Sequence, residues 1–115
     1  MARLQNVVLT VQDMEKMAQF YSEALSLSLR FRDGEKWTQL TDGEHFFALA
    51  APEEMPFSAS GSIPIFEVEN VESARDQMTE LGAVVSTIRD MGDHGLTATV
   101  TDPEGNLFQI FMRKM

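Results

Sequence analysis

The residues able to do chemistry in this chain are few, and their types narrow what it can do. Cysteine is absent from the 115 residues, which removes disulfides, thiolate nucleophiles and cysteine metal ligands together. The only imidazoles are His45 and His94. Serines are plentiful, yet none sits in a Gly-x-Ser-x-Gly elbow or a recognisable Ser-His-Asp arrangement, so the usual hydrolase nucleophile has no counterpart. No glycine loop is spaced to cradle a phosphate. The acidic pairs Glu53-Glu54 and Glu67/Glu69 have spacings too common to assign acid–base roles. Glu67, if enclosed by apolar side chains, would hold its proton and could serve as a base. What remains suits recognition: the amides of Asn6, Gln39 and Gln109, the hydroxyls of Thr97 and Thr99, and the rings of Trp37, Phe46 and Phe111.

The elements that must position these residues are legible in the periodicity. Asn6–Val11 is short, β-rich and mostly apolar, as a strand requires. Asp13 is placed to cap a following helix, and Met14, Met17, Ala18, Tyr21 and Leu25 recur at steps of three and four along it. Three short strands are predicted next: Leu27–Phe31, Trp37–Thr41 and His45–Ala50, separated by the turn signals Asp33-Gly34 and Asp42-Gly43. Residues 52–61 hold prolines, serines and glutamates without periodicity and read as a connection. The order then restarts. Ile63–Val68 is a strand, Asn70 a cap, and Val71, Ala74, Met78 and Leu81 a helical stripe stopped by Gly82. Val84–Ile88, Leu96–Thr101 and Leu107–Met112 supply three further strands, the last two joined by the turn Asp102-Pro-Glu-Gly-Asn106.

The expected organisation is one domain over 1–115 with an internal repeat, 1–51 and 62–115. Asp13 corresponds to Asn70, Trp37–Leu40 to Thr97–Val100, and Phe47–Leu49 to Phe108–Ile110. A single strand-helix-three-strand unit leaves sheet edges and one face uncovered. The fold class is therefore α+β: tandem βαβββ modules in a curved mixed sheet, helices on the outer face and a concave pocket opposite.

Acids outnumber bases 18 to 9, a formal charge of −9, and the excess is spread over both halves. Such a surface repels phosphate backbones, and no basic stripe with interleaved aromatics is present, so nucleic acid is not an expected partner. No run reaches the roughly 20 apolar residues of a membrane helix, and the first residues show no secretory pattern. A cytoplasmic setting is expected.

Three stretches resemble the vicinal oxygen chelate superfamily, which includes glyoxalases, extradiol dioxygenases and bleomycin-resistance proteins. They are Val7-Val-Leu-Thr-Val-Gln-Asp-Met-Glu-Lys-Met-Ala-Gln-Phe-Tyr21, Trp37–Leu49 with its Asp-Gly turn, and Asp102-Pro-Glu-Gly-Asn-Leu-Phe-Gln-Ile110. Together they span nearly the whole chain. The resemblance implies a ligand position in the first and last strand of each half, usually His, Gln or Glu in metal-using members. Those positions here are Asn6, Ala48, Ile63 and Gln109. Two amides and two hydrocarbons lack the charge and donor number that a divalent ion requires, so neither metal nor other cofactor is expected. The histidines could join Asp90 or Asp93 in a metal site only if the fold gathered them. Alternation turns His45 away from the pocket face, whereas His94, in the loop Asp90-Met-Gly-Asp-His-Gly95, reads as a surface residue or as a ligand-contacting or acid–base one.

Period-two alternation predicts the concave face. It collects Asn6, Val8, Trp37, Gln39, Phe46 and Ala48 from the first half, and Ile63, Ile65, Glu67, Thr97, Thr99, Gln109 and Phe111 from the second, with His94 at the rim. This lining has the composition of a small-molecule pocket. The expected function is metal-free binding of a flat or cationic compound, as similarity to the bleomycin-resistance branch implies, in a homodimer. A lyase, isomerase or dioxygenase with a non-standard site is one alternative, and a structural or interaction protein with a filled concavity is another. No catalytic residue is assigned.

Overall fold

Asp13 and Asn70 each open a helix in the way their side chains favour. Asp13 Oδ1 accepts from the Lys16 amide at 3.1 Å, and Asn70 Oδ1 from the Ser73 amide at 2.9 Å, satisfying donors that have no intrahelical partner. The structure is a computed structural model and describes residues 4–54 and 63–114. The chain divides into two compact units at residue 60. The α+β class is as expected, with two helices and two mixed sheets, neither closed into a barrel.

In the first unit, β1 (Val7–Thr10) leads into α1 (Met14–Ala24), then β2 (Ser28–Asp33), β3 (Trp37–Thr41) and β4 (Phe46–Ala50). The sheet order is β1-β4-β3-β2, with β1 parallel to β4 and the other pairs antiparallel. Helix α1 buries Met14, Met17, Phe20, Tyr21 and Ala24. Ala18 and Leu25, expected in that stripe, are only half-buried. The Tyr21 ring meets Phe47 at 5.1 Å and Phe20 edge-on at 5.0 Å, which fixes the Phe47 side of β4 as the helix side. Fully burying a large apolar side chain contributes about 1.5–3 kcal/mol, so this stripe is what docks α1.

The second unit repeats the plan with β5 (Ile65–Glu67), α2 (Val71–Glu80), β6 (Val84–Val85), β7 (Arg89–Asp90), β8 (Leu96–Thr101) and β9 (Leu107–Met112). Its order is β5-β9-β8-β6, with β7 also paired to β8 and β5 parallel to β9. Gly82 ends the α2 turn at φ +100°, a conformation glycine adopts without a Cβ penalty. Asp102 is 4% exposed and organises the turn before β9. Its Oδ1 accepts from the amides of Glu104 at 2.8 Å and Asn106 at 2.9 Å, and its Oδ2 from Asn106 Nδ2 at 3.0 Å.

Several expected strand bounds need correction, among them Ile63–Val68, which is a strand only over Ile65–Glu67. The strand predicted over Val84–Ile88 is broken into Val84–Val85 and Arg89–Asp90. Ser86 Oγ accepts the Thr99 amide at 2.9 Å while the Ser86 amide donates to the Thr99 carbonyl at 2.9 Å. The hydroxyl thus takes a place that a ladder carbonyl would fill, as serine side chains do when they compete with backbone pairing. The strand predicted from His45 begins at Phe46, because His45 is held in the preceding turn by Asp42. Of the connection expected over 52–61, Pro52–Glu54 forms a 3-10 turn and the remainder lies outside the described residues.

Candidate functional site

Each sheet has a face turned away from its helix. In the first unit the register Trp37↔Ala50, Gln39↔Ala48 and Thr41↔Phe46, with Val8↔Ala48 and Thr10↔Ala50, puts Asn6, Val8, Trp37, Gln39, Phe46 and Ala48 on that face. Their side chains form a connected arrangement. Arg30 Nη1 donates to Gln39 Oε1 at 2.9 Å, and Gln39 Nε2 donates to Asn6 Oδ1 at 2.8 Å. Because β4 lies between β3 and β1, the second bond spans β4, where the small, fully buried side chain of Ala48 leaves room. The Arg30 guanidinium also lies 4.8 Å from the centre of the Phe46 ring, within cation–π range.

Arg30 is the functional candidate that sequence reasoning missed. Its signal was local, since Leu29 pairs with Leu40 on the helix side and alternation turns the next residue outward. A register shift between Leu29 and Phe31 marks a β-bulge, which places Phe31 opposite Gln39 and so on the same outward face as Arg30. Period-two counting alone would send Phe31 to the helix side.

In the second unit the outward face carries Ile65 and Gln109, Thr99 opposite Gln109 and Thr97 opposite Phe111, and Glu67 beside Phe111. Gln109 Nε2 donates to Thr99 Oγ1 at 3.3 Å. The Thr97 hydroxyl donates to the Ile110 carbonyl at 2.9 Å, so it is committed to the sheet. Ile63 precedes β5 and is 49% exposed. Glu67 is not enclosed among apolar groups as the base reading required. Its carboxylate pairs with Arg113 at 3.0 Å and is half-exposed.

Neither histidine lies within the strands of these faces. His45 Nδ1 lies 3.0 Å from Asp42 Oδ2, both exposed. That hydrogen bond, with the amides of Glu44 and His45, lowers the Asp42 carboxyl to about 2 and raises His45 above its ordinary value. His94 is exposed in the 3-10 turn Gly92–His94. Nearby, a hydrogen bond from Lys114 holds the Asp90 carboxyl below the usual carboxylate range, at a contact of 2.7 Å. Among the described residues no group of three or more His, Asp or Glu side chains could hold a metal.

The four positions at which the resemblance implies metal ligands do not fit an ion. Ala48 and Ile63 offer hydrocarbon. Asn6 Oδ1 is occupied by the Gln39 amide, and Gln109 is turned into a bond with Thr99. A divalent cation needs several charged or strongly donating ligands converging on one point, and this donor set supplies none with charge.

A family model described as a glyoxalase-like domain matches residues 6–111. The chain belongs to the glyoxalase-like family. Its curated relatives include an uncharacterized protein of Mycolicibacterium smegmatis, 31% identical over 100 residues, which cover 87% of this chain and 84% of that protein. Among solved structures, a glyoxalase/bleomycin resistance protein/dioxygenase family enzyme from Burkholderia phytofirmans superposes with TM-score 0.85 at 22% identity, covering 98% of this chain and all of the other. A fosfomycin resistance protein from Listeria monocytogenes, solved with Mn(II) and 1S,2S-dihydroxypropylphosphonic acid, gives TM-score 0.81 at 14% identity, covering 100% of this chain and 93% of its own. These likenesses establish the shared glyoxalase-like fold. Among the described residues no helix is long and apolar enough to cross a membrane.

Proposed function

We propose that this glyoxalase-like chain is a metal-independent binder of a small flat compound that carries a carboxylate or carbonyl group, held on the outward face of the first sheet. One observation carries the reading: the line Arg30–Gln39–Asn6 with Phe46 beneath the guanidinium. Gln39 fixes one edge of the guanidinium and leaves other N–H donors for an acceptor, the geometry in which arginine recognises planar oxygen pairs. Phe46 and Trp37 supply flat apolar surface for a ring. The local charge at Arg30 thus favours an acceptor-bearing ligand over the cationic one that net charge suggests. The face offers no imidazole and no enclosed carboxylate to move a proton, which supports binding over acid–base catalysis. The second unit's outward face, with Thr99, Gln109, Ile63, Ile65, Glu67, Phe111 and the nearby His94, is proposed as a contact surface in its own right. A homodimer and a cytoplasmic setting belong to the same proposal.

Trp37 is the only tryptophan, so its emission reports on this face. Phenylacetate, phenylacetamide and phenethylammonium share one ring and differ in charge. Titration should give saturable quenching that is strongest with phenylacetate, weaker with the neutral amide and absent in Arg30→Ala. Pre-treatment with EDTA should leave it unchanged. Tightest binding of the cation would refute the Arg30-centred reading, and binding that requires added Mn²⁺ or Zn²⁺ would refute metal independence.

A further inference from the structure

The first unit has a recess on the helix side of its sheet. It lies between α1 and strands β2 and β3 and has a volume of about 250 Å³. It is lined by Ala18, Gln19 and Ser22 of α1 and by Leu29, Thr38 and Leu40 of the strands, with Glu15 and Arg32, ion-paired at 3.0 Å, at its exposed mouth. It exists because Ala18 is small where a larger residue would fill the gap, and because Leu29 is 62% exposed even though it shares the helix side with Leu40.

Thr38 makes this recess more than a packing defect. The residue is fully buried, and its Oγ1 has no hydrogen-bond partner. A buried hydroxyl without a partner is costly, and native proteins rarely keep one without a reason. Valine would suit the same strand position without that cost.

We infer that the recess is a binding site for a small neutral carbonyl compound, an amide or ketone of a few carbons. The Thr38 hydroxyl donates to its carbonyl oxygen, and the alkyl part lies against Ala18, Leu29 and Leu40. Because Thr38 Oγ1 is fully buried in the free chain, binding needs a neighbouring side chain to move, and Leu29, 62% exposed, is the lining residue free to turn aside. The charge at the mouth argues for neutrality. Glu15 and Arg32 neutralise each other, so neither a carboxylate nor an ammonium group finds an uncompensated partner there, and either would have to break that pair. The site is separate from the outward face because Thr38 and Gln39 are adjacent in β3 and point to opposite sides of the sheet.

The test follows backbone amide shifts of the full chain by ¹H–¹⁵N correlation spectra during titration with pentanamide, pentanoate and pentylammonium. Pentanamide should produce saturable shifts centred on Ala18, Ser22, Leu29, Thr38 and Leu40. Loss of one hydrogen bond to a buried group corresponds to roughly tenfold in affinity, so Thr38→Val should bind pentanamide about that much more weakly while folding as well as the parent. Ala18→Leu, which fills the recess, should abolish the shifts. The spectra themselves report whether each variant is folded. Three outcomes would overturn the inference: no saturable shifts, equal binding of all three probes (apolar adsorption), or unchanged affinity in Thr38→Val. Arg30→Ala should leave these shifts intact, so failure here and failure of the outward-face reading are distinguishable.

Discussion

Replacing Gln39 by leucine removes both arms of the line that joins β2, β3 and β1. Gln39 is 8% exposed and holds Arg30 at 2.9 Å and Asn6 at 2.8 Å. A typical intramolecular hydrogen bond contributes about 1 kcal/mol net. Both partners keep some access to water, Arg30 being exposed and Asn6 half-buried, so neither becomes a fully orphaned group. Leucine also buries apolar surface that glutamine does not, which offsets part of the loss. The expected cost is therefore about 1 kcal/mol, well below the roughly 3 kcal/mol that a sealed, unsatisfied amide would bring. The sharper quantity is coupling. If Gln39 and Asn6 stabilise the sheet through one another, Asn6→Ala should cost less in the Gln39→Leu background, by about 0.5–1 kcal/mol. Urea denaturation of the parent, the two single variants and the double variant measures this, with the denaturant slope unchanged if the unfolding reaction is the same. Costs that add to within about 0.3 kcal/mol would refute the idea that the bond across β4 works as a unit. The same variant frees the Arg30 guanidinium, so phenylacetate quenching of Trp37 should weaken alongside.

Other substitutions have equally definite signs. In Gly95→Ala the new Cβ would lie 2.5 Å from the Met112 carbonyl oxygen and 2.8 Å from Phe111 Cε1, at φ +101°; thermal denaturation should show a loss of about 3 kcal/mol or more. Asp102→Ala removes the acceptor of three turn hydrogen bonds and should cost about 2–3 kcal/mol by chemical denaturation, with Asp102→Asn milder because one oxygen still accepts. The Asp42–His45 pair should show opposite pH limits. Asp42, lowered to about 2, adds stability above its ordinary value that fades as pH falls through about 2. His45, raised, adds stability below its ordinary value that fades as pH climbs through its folded-state value. NMR titration should find the His45 imidazole shifted back down in Asp42→Asn, and no change on that substitution would show that the pair is not formed in solution.

Much of the frame was legible because it is local. The caps Asp13 and Asn70, the Gly82 stop and the full extents of Trp37–Thr41, Leu96–Thr101 and Leu107–Met112 follow from side-chain geometry within a few residues. Alternation also sorted Phe47, Leu49, Phe108 and Ile110 from Gln39, Ala48, Thr99 and Gln109, since burying one face of a strand dictates its parity. The duplicated turn and strand pattern sufficed to mark the chain as glyoxalase-like.

Tertiary structure decided what those residues do. Ser86 replaces a ladder carbonyl with its hydroxyl, and no count of β-formers over Val84–Ile88 reveals that. The bulge between Leu29 and Phe31 depends on how β2 meets β3, and it brings Phe31 to the outward face beside Arg30. Thr38 has the same sequence signature as any inward strand residue, and only the fold leaves its buried hydroxyl without a partner. Periodicity is fixed by backbone geometry and can be read along the chain; hydrogen-bond partners and unfilled space depend on which atoms other strands bring near.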